Sequence, residues 1–143
     1  MLTTFVIKTL YAAVLGFVIG IQRERLGKPA GARTYSLVAL ASAVFTIMSQ
    51  TGFVSGAVFN NGIDPTRIAS QIVVGIGFLG AGIIIFHEDK VLGLTTAAGM
   101  WAVAALGMVV GVGRYAEAGI LAVLILIILA MSSVEEKSGW FKR

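Results

Sequence analysis

Asp64, Arg67 and Gln71 stand at helical spacing and lead into an apolar run that continues to Phe86. A carboxylate, a guanidinium and an amide three and then four residues apart fall on one broad face of a helix. Two chemistries are open to them. One is local: Asp64 caps the helix, Pro65 fits its first position, and Asp64 pairs with Arg67. The other is a polar mouth leading into a bundle, because intramembrane polar groups face protein or water. A second set is Glu24 among Arg23, Arg25 and Arg33. It reads either as a salt bridge within topology-setting charges or as a surface for a partner or an anionic lipid. Thr95 and Thr96 open a further apolar run, where hydroxyls hydrogen-bond carbonyls or a neighbouring helix.

Other combinations exclude more than they suggest. Gly75-x-Gly77-x-x-Gly80 has the spacing of a dinucleotide loop, but such a loop needs a preceding strand and a later acidic residue in a soluble βαβ unit. Here the glycines lie inside an apolar run, which makes them helix-packing residues. His87-Glu88-Asp89 are adjacent and do not converge on one ion, so no metal site is expected. There is no cysteine, no Walker A sequence and no nucleophile–base set around the single histidine. The reading is therefore a protein that is not an enzyme and takes no cofactor.

The elements that must position these residues are set by composition. Of 143 residues 57% are hydrophobic and 13% charged, with mean hydropathy +0.93. Soluble domains are about a quarter charged. The charges fall between long apolar runs, as in a polytopic membrane protein whose first partner is the lipid bilayer. The net charge of +4 sits in loops beside those runs and is not a nucleic-acid footprint. The first apolar run ends in Gln22-Arg23-Glu24-Arg25 without a small-residue cleavage site, so it reads as an uncleaved span.

One all-α domain over 1–143 follows, with five transmembrane helices at about 4–21, 34–51, 66–86, 93–112 and 115–133. Lys8 lies inside the first span and reads as a snorkelling lysine. Gly16 with Gly20, and Gly107 with Gly111, form two GxxxG pairs. Gly75, Gly77, Gly80 and Gly82 make the third span the expected axis, packed on several sides by spans one, two and four. The fifth span lacks small residues and is expected to face lipid most. A turn is expected at Asn60-Asn61-Gly62, a polar loop at His87–Lys90, and interface anchors at Trp140 and Phe141. Eight basic residues fall on the side of the first loop, third loop and tail, against Lys8, Arg67 and Arg114 on the other. The positive-inside rule then places the N-terminus outside and the C-terminus in the cytoplasm.

GFVIGIQRER at 16–25, GARTYSLVAL at 31–40, DPTRIASQIVVGIGFLGAGIII at 64–85 and GLTTAAGMWAVAALG at 93–107 form an ordered set of motifs. In them the chain resembles the MgtC/SapB family of bacterial inner-membrane proteins, over the family's N-terminal membrane domain. The resemblance implies a five-helix inner-membrane domain linked in some members to magnesium limitation, acid stress or survival in a host. It also implies a regulator acting through membrane partners. By motif position it marks Glu24, Arg33, Thr34, Asp64, Arg67, Gln71, Gly75, Gly77, Gly80, Gly82, Thr95, Thr96 and Trp101. Family members often carry leucine and histidine where Ala32 and Tyr35 stand here, so a proton role for that histidine does not transfer. Many members continue into a soluble ACT-like domain. Arg143 precedes any such domain, so ligand sensing of that kind is not expected of this chain.

Two function classes compete. A non-enzymatic regulator would use its glycine faces to meet a membrane-protein partner or a second copy. A small magnesium or proton transporter would use Asp64, Arg67 and Gln71 as its outer mouth and Glu24 and Arg33 as its inner one. No acidic residue lies at mid-membrane, which weakens the cation route.

Overall fold

In hydrocarbon each backbone N–H and C=O must be satisfied within the chain, so apolar runs of this length become helices. The computed structural model describes residues 2–51, 64, 66–87 and 90–138, with side chains as far as Met131. The helices are α1 (Leu2–Arg25), α2 (Ala32–Thr51), α3 (Arg67–Ala81), α4 (Leu94–Gly111) and α5 (Tyr115–Ser138). Two short strands, β1 (Ile85–His87) and β2 (Lys90–Leu92), pair antiparallel between α3 and α4. Among these, α1, α2 and α4 are long and apolar enough to be candidate membrane spans.

Glycine sets how closely the helices approach. A Cβ on Gly16 would stand 2.5 Å from the Tyr35 carbonyl oxygen, and one on Gly20 2.6 Å from the Ala32 Cα. On α4, Gly107 meets the Ala39 carbonyl, and a Cβ on Gly111 would stand 2.7 Å from the Thr46 Cβ. Residue numbers rise together across α2 and α4, so these two run parallel. They fall from α1 to both, so α1 runs antiparallel. The core lies along this three-helix contact, with Ala12, Ile19, Tyr35, Ala39, Val103 and Leu106 fully buried.

Five expectations change. The axis is α2 with α4, not the third span. α3 leans on α2 and α4 and buries only Ile76 and Gly80. Nothing lies within 4 Å of a Cβ at Gly75 or Gly77, and one at Gly82 would meet only carbonyls of its own helix. The expected close approach on several sides of this span is therefore absent among the described residues. The reason lies on the neighbouring helices, whose own small residues already let α1, α2 and α4 close on one another.

The span expected over 66–86 ends at Ala81. Beyond the glycine C-cap at Gly82 come Ile83, Ile84, Ile85 and Phe86, β-branched and aromatic residues that suit a strand. Gly93 closes the hairpin at φ +85°, with its Cα side against the Ile83 carbonyl. At the other end of α3, Thr66 is the N-cap. Asp64 instead forms a local turn, its Oδ1 accepting from the Thr66 N–H at 2.8 Å and the Thr66 hydroxyl at 2.7 Å.

The first loop is shorter than expected. Gln22, Arg23, Glu24 and Arg25 continue α1, being good helix formers. Gly27 at φ +63° stops it, where the Lys28 N–H returns to the Arg23 carbonyl. Finally, α5 is less lipid-facing than expected, since Ala118, Ala122, Ile125 and Leu129 are buried. The expected turn at 60–62, Pro65, Glu88, Asp89 and the Trp140–Phe141 anchors lie outside the described residues.

Candidate functional site

One end of the bundle gathers the end of α1 and the beginnings of α2 and α4. Ala12, Gly16, Ile19, Gly20 and Arg23 make the buried stripe of α1. Helical spacing thus carries a guanidinium into the seam that the glycines close. Arg23 is 1% exposed. Its Nη2 donates to the Thr96 Oγ1 at 3.3 Å, a long hydrogen bond. Its Nε and Nη1 have no hydrogen-bond partner among the described residues. Tyr35, fully buried beside Arg23, donates its hydroxyl to the Thr96 carbonyl at 3.1 Å. It also presses on Gly99, where a Cβ would stand 2.6 Å from the phenolic oxygen.

The electrostatics of this end are one-sided. Helix N-termini carry partial positive charge, and α2 and α4 both begin here. Glu24 is exposed and accepts the Ala32 N–H at 2.9 Å, capping α2 from the preceding helix. α4 has no side-chain cap, its N-cap being Gly93. Among the described residues no carboxylate pairs with Arg23. A permanent cation therefore sits against the positive end of α4, with two donor nitrogens free. Such a group can hold an oxyanion and repels a metal cation.

The opposite end is built differently. Lys8 Nζ donates to the Gly111 carbonyl at 2.8 Å, placing positive charge at the negative end of α4. The expected snorkelling lysine thus has a fixed partner. Tyr11 and Tyr115 stack edge to face with centroids 5.7 Å apart, tying α1 to α5.

The other sequence-marked residues do not join the Arg23 cluster, Thr96 excepted. Thr95 and Arg33 are exposed, and Thr34 is half-buried at the start of α2. Asp64, Arg67 and Gln71 are exposed at the start of α3. Gln71 and Gly75 line an apolar groove of about 240 Å³ between α2 and α3, with Ser42 and Phe45 on its other wall. Trp101 points outward. Sequence reasoning missed Arg23 and Tyr35 as interior residues. The available signal was the spacing of Gly16, Gly20 and Arg23 on one helix face.

The MgtC family pattern matches residues 9–137, from within α1 to the penultimate residue of α5. The chain belongs to the MgtC family. Curated relatives agree. It is 46% identical over 121 residues to the Escherichia coli K12 protein named "Putative magnesium transporter YhiD", covering 84% of this chain and 56% of that one. It is 43% identical over 120 residues to Protein MgtC of Brucella abortus, covering 84% and 48%. It is 39% identical over 109 residues to Protein SapB of Bacillus subtilis, covering 75% and 47%. The chain spans about half the length of these relatives. No solved structure matches it. As a family member with apolar spans, it is a bacterial membrane protein in contact with lipid.

Proposed function

We propose that this chain is a non-enzymatic regulator of membrane partners, serving adaptation to magnesium limitation, acid stress or a host environment. In this reading it is a single five-span domain of the inner membrane, with its N-terminus outside and its C-terminus in the cytoplasm. The observation that carries the reading is the charge inside the bundle. Among the described residues Arg23 is the buried charge of the core; the other buried polar residues there are Ser42, Thr46, Ser49 and Thr96. A cation crossing along α1, α2 and α4 would meet a fixed guanidinium in a low-dielectric seam with no acid among the described residues to offset it, which is how pores exclude cations. What α3 offers instead is a surface. Gly75 and Gly77 stand free beside Gln71 and Phe78, the latter 82% exposed. In lipid, bare backbone next to an amide suits a second helix, from a partner or another copy.

Ion transport is the second reading, favoured by the groove at Gln71 and by the name printed for the Escherichia coli relative. Its walls are apolar apart from Gln71 and Ser42, which suits a side chain or acyl chain better than a hydrated ion. The deciding experiment has two arms. Protein in liposomes under magnesium and proton gradients is expected to leak no faster than protein-free vesicles. Cross-linkers placed on α3 in native membranes are expected to capture a membrane protein. Gradient-driven magnesium flux abolished by Gln71→Ala, with assembly intact, would reverse the choice.

A further inference from the structure

We propose that the first turn of α4, together with Arg23, is a binding site for a phosphate group, of the kind carried by an anionic lipid or by free phosphate. The proposal does not rest on the regulatory reading above; a regulator or a transporter could carry it equally.

Two independent observations meet at this place. The first is the uncapped N-terminus of α4, an 18-residue helix whose N-cap is Gly93 in the left-handed region, without a side-chain cap. Its leading N–H groups are the ones an oxyanion binds at a helix start. The second is Arg23. The residue is 1% exposed, its guanidinium reaches that turn through the long bond to Thr96 Oγ1 beside the Tyr35 hydroxyl, and Nε and Nη1 are unpartnered among the described residues. Thr96 Oγ1 accepts from Arg23, which leaves its own hydroxyl hydrogen to donate. Three kinds of donor thus converge on one turn: guanidinium N–H, a hydroxyl and backbone N–H groups. No acceptor among the described residues answers Nε or Nη1.

The charge arrangement requires an anion more strongly than the donor count does. A buried cation without a partner is costly, and a cation beside a helix N-terminus adds repulsion. Glu24 is adjacent in sequence, yet its carboxylate caps α2 at the Ala32 N–H and is exposed. The planar fork of arginine matches the paired oxygens of a phosphate. Leu94 and Thr95 are exposed on the same turn, at the end of the bundle. Arg25 and Arg33 are exposed there too and would draw anionic headgroups to it.

The test uses the full chain in an uncharged detergent, stripped of lipid, with thermal unfolding and native mass spectrometry as readouts. Dioleoyl phosphatidylglycerol is titrated against dioleoylglycerol, which has the same tails and no phosphate, and against inorganic phosphate. Phosphatidylglycerol is expected to bind and raise the unfolding temperature, with dioleoylglycerol inert. Arg23→Met, which keeps volume and removes the charge, is expected to weaken binding about tenfold, as for loss of a charge-assisted pair. Arg25→Gln, an exposed cation at the same end, is expected to weaken it far less. Competition by millimolar phosphate would identify a site for the free ion; lack of competition would identify a headgroup site. Equal binding of dioleoylglycerol, or unchanged phosphatidylglycerol affinity in Arg23→Met, would overturn the proposal. So would an absence of any shift with either phosphate source, which would leave Arg23 to buried water. If Arg23→Met does not fold, Thr96→Val, close to isosteric, carries the same titration. It is expected to weaken binding about threefold, and unchanged affinity would again overturn the proposal.

Discussion

A single methyl group distinguishes the packed seam from the free face. At Gly16 the added Cβ of an alanine would lie 2.5 Å from the Tyr35 carbonyl oxygen and 2.9 Å from the Ala39 Cβ. Both atoms belong to the backbone or the shortest side chain of α2, so no flexible group can move aside. The helices must part by about 1 Å to reach ordinary contact, at a cost of about 1–3 kcal/mol for overpacking. Replacing glycine by alanine in a helix returns at most about 1 kcal/mol. With a return of up to about 1 kcal/mol set against that cost, Gly16→Ala should lose up to about 3 kcal/mol of stability. Gly75→Ala meets nothing within 4 Å; it should be neutral or gain up to about 1 kcal/mol from the helix term alone. Reversible unfolding in mixed micelles, titrated with a denaturing detergent and followed by circular dichroism, measures both. Gly16→Ala as stable as wild type, or Gly75→Ala less stable than it, would refute the assignment of seam and free face. Gly75→Leu extends the pair: it should leave micellar stability intact and reduce cross-linking of α3 to its partner in native membranes.

Lys8→Met removes the hydrogen bond to the Gly111 carbonyl and the charge at the end of α4. A loss of about 1–2 kcal/mol in the same titration is expected, and no loss would show that the contact contributes nothing. Thr66, through its hydroxyl and its N–H, holds the exposed Asp64 carboxyl below the usual carboxylate range, with Arg67 adding a smaller pull. A depressed folded value means stability present above the unfolded value and lost as pH falls through the folded one. The unfolding temperature should drop on acidification below about pH 4, less steeply in Asp64→Asn; superimposable acid limbs would disprove the coupling. The chain has no cysteine, so single-cysteine labelling can read its orientation. Arg114→Cys should react in intact spheroplasts and Arg33→Cys only after permeabilisation. The reverse pattern would invert the proposed topology.

Much of the architecture is legible residue by residue. Helical segments stand where the apolar runs lie, and family membership follows from ordered motifs such as GIGFLGAG and GLTTAA. The error over the third span has a definite physical source. Gly75, Gly77, Gly80 and Gly82 announce the capacity for close approach, and capacity does not say which neighbour uses it. Across the described residues only Gly80 of the four would bring a Cβ within 4 Å of another helix, at 3.6 Å from the Ala97 Cβ. Likewise Ile83 to Phe86 extend an apolar run, and hydropathy alone does not separate a helical end from a strand.

The sequence by itself determined that this chain lives in lipid, where its helices begin, and which family it belongs to. Those properties depend on local composition and on spacing along one chain. Tertiary structure decided which helices form the interior, that Lys8 closes the end of α4, and that Arg23 lies buried against Thr96, without a carboxylate among the described residues, rather than in a solvated loop. Burial and charge pairing depend on which helices meet. Four residues of helical continuation past Ile21 turned a loop arginine into a core one.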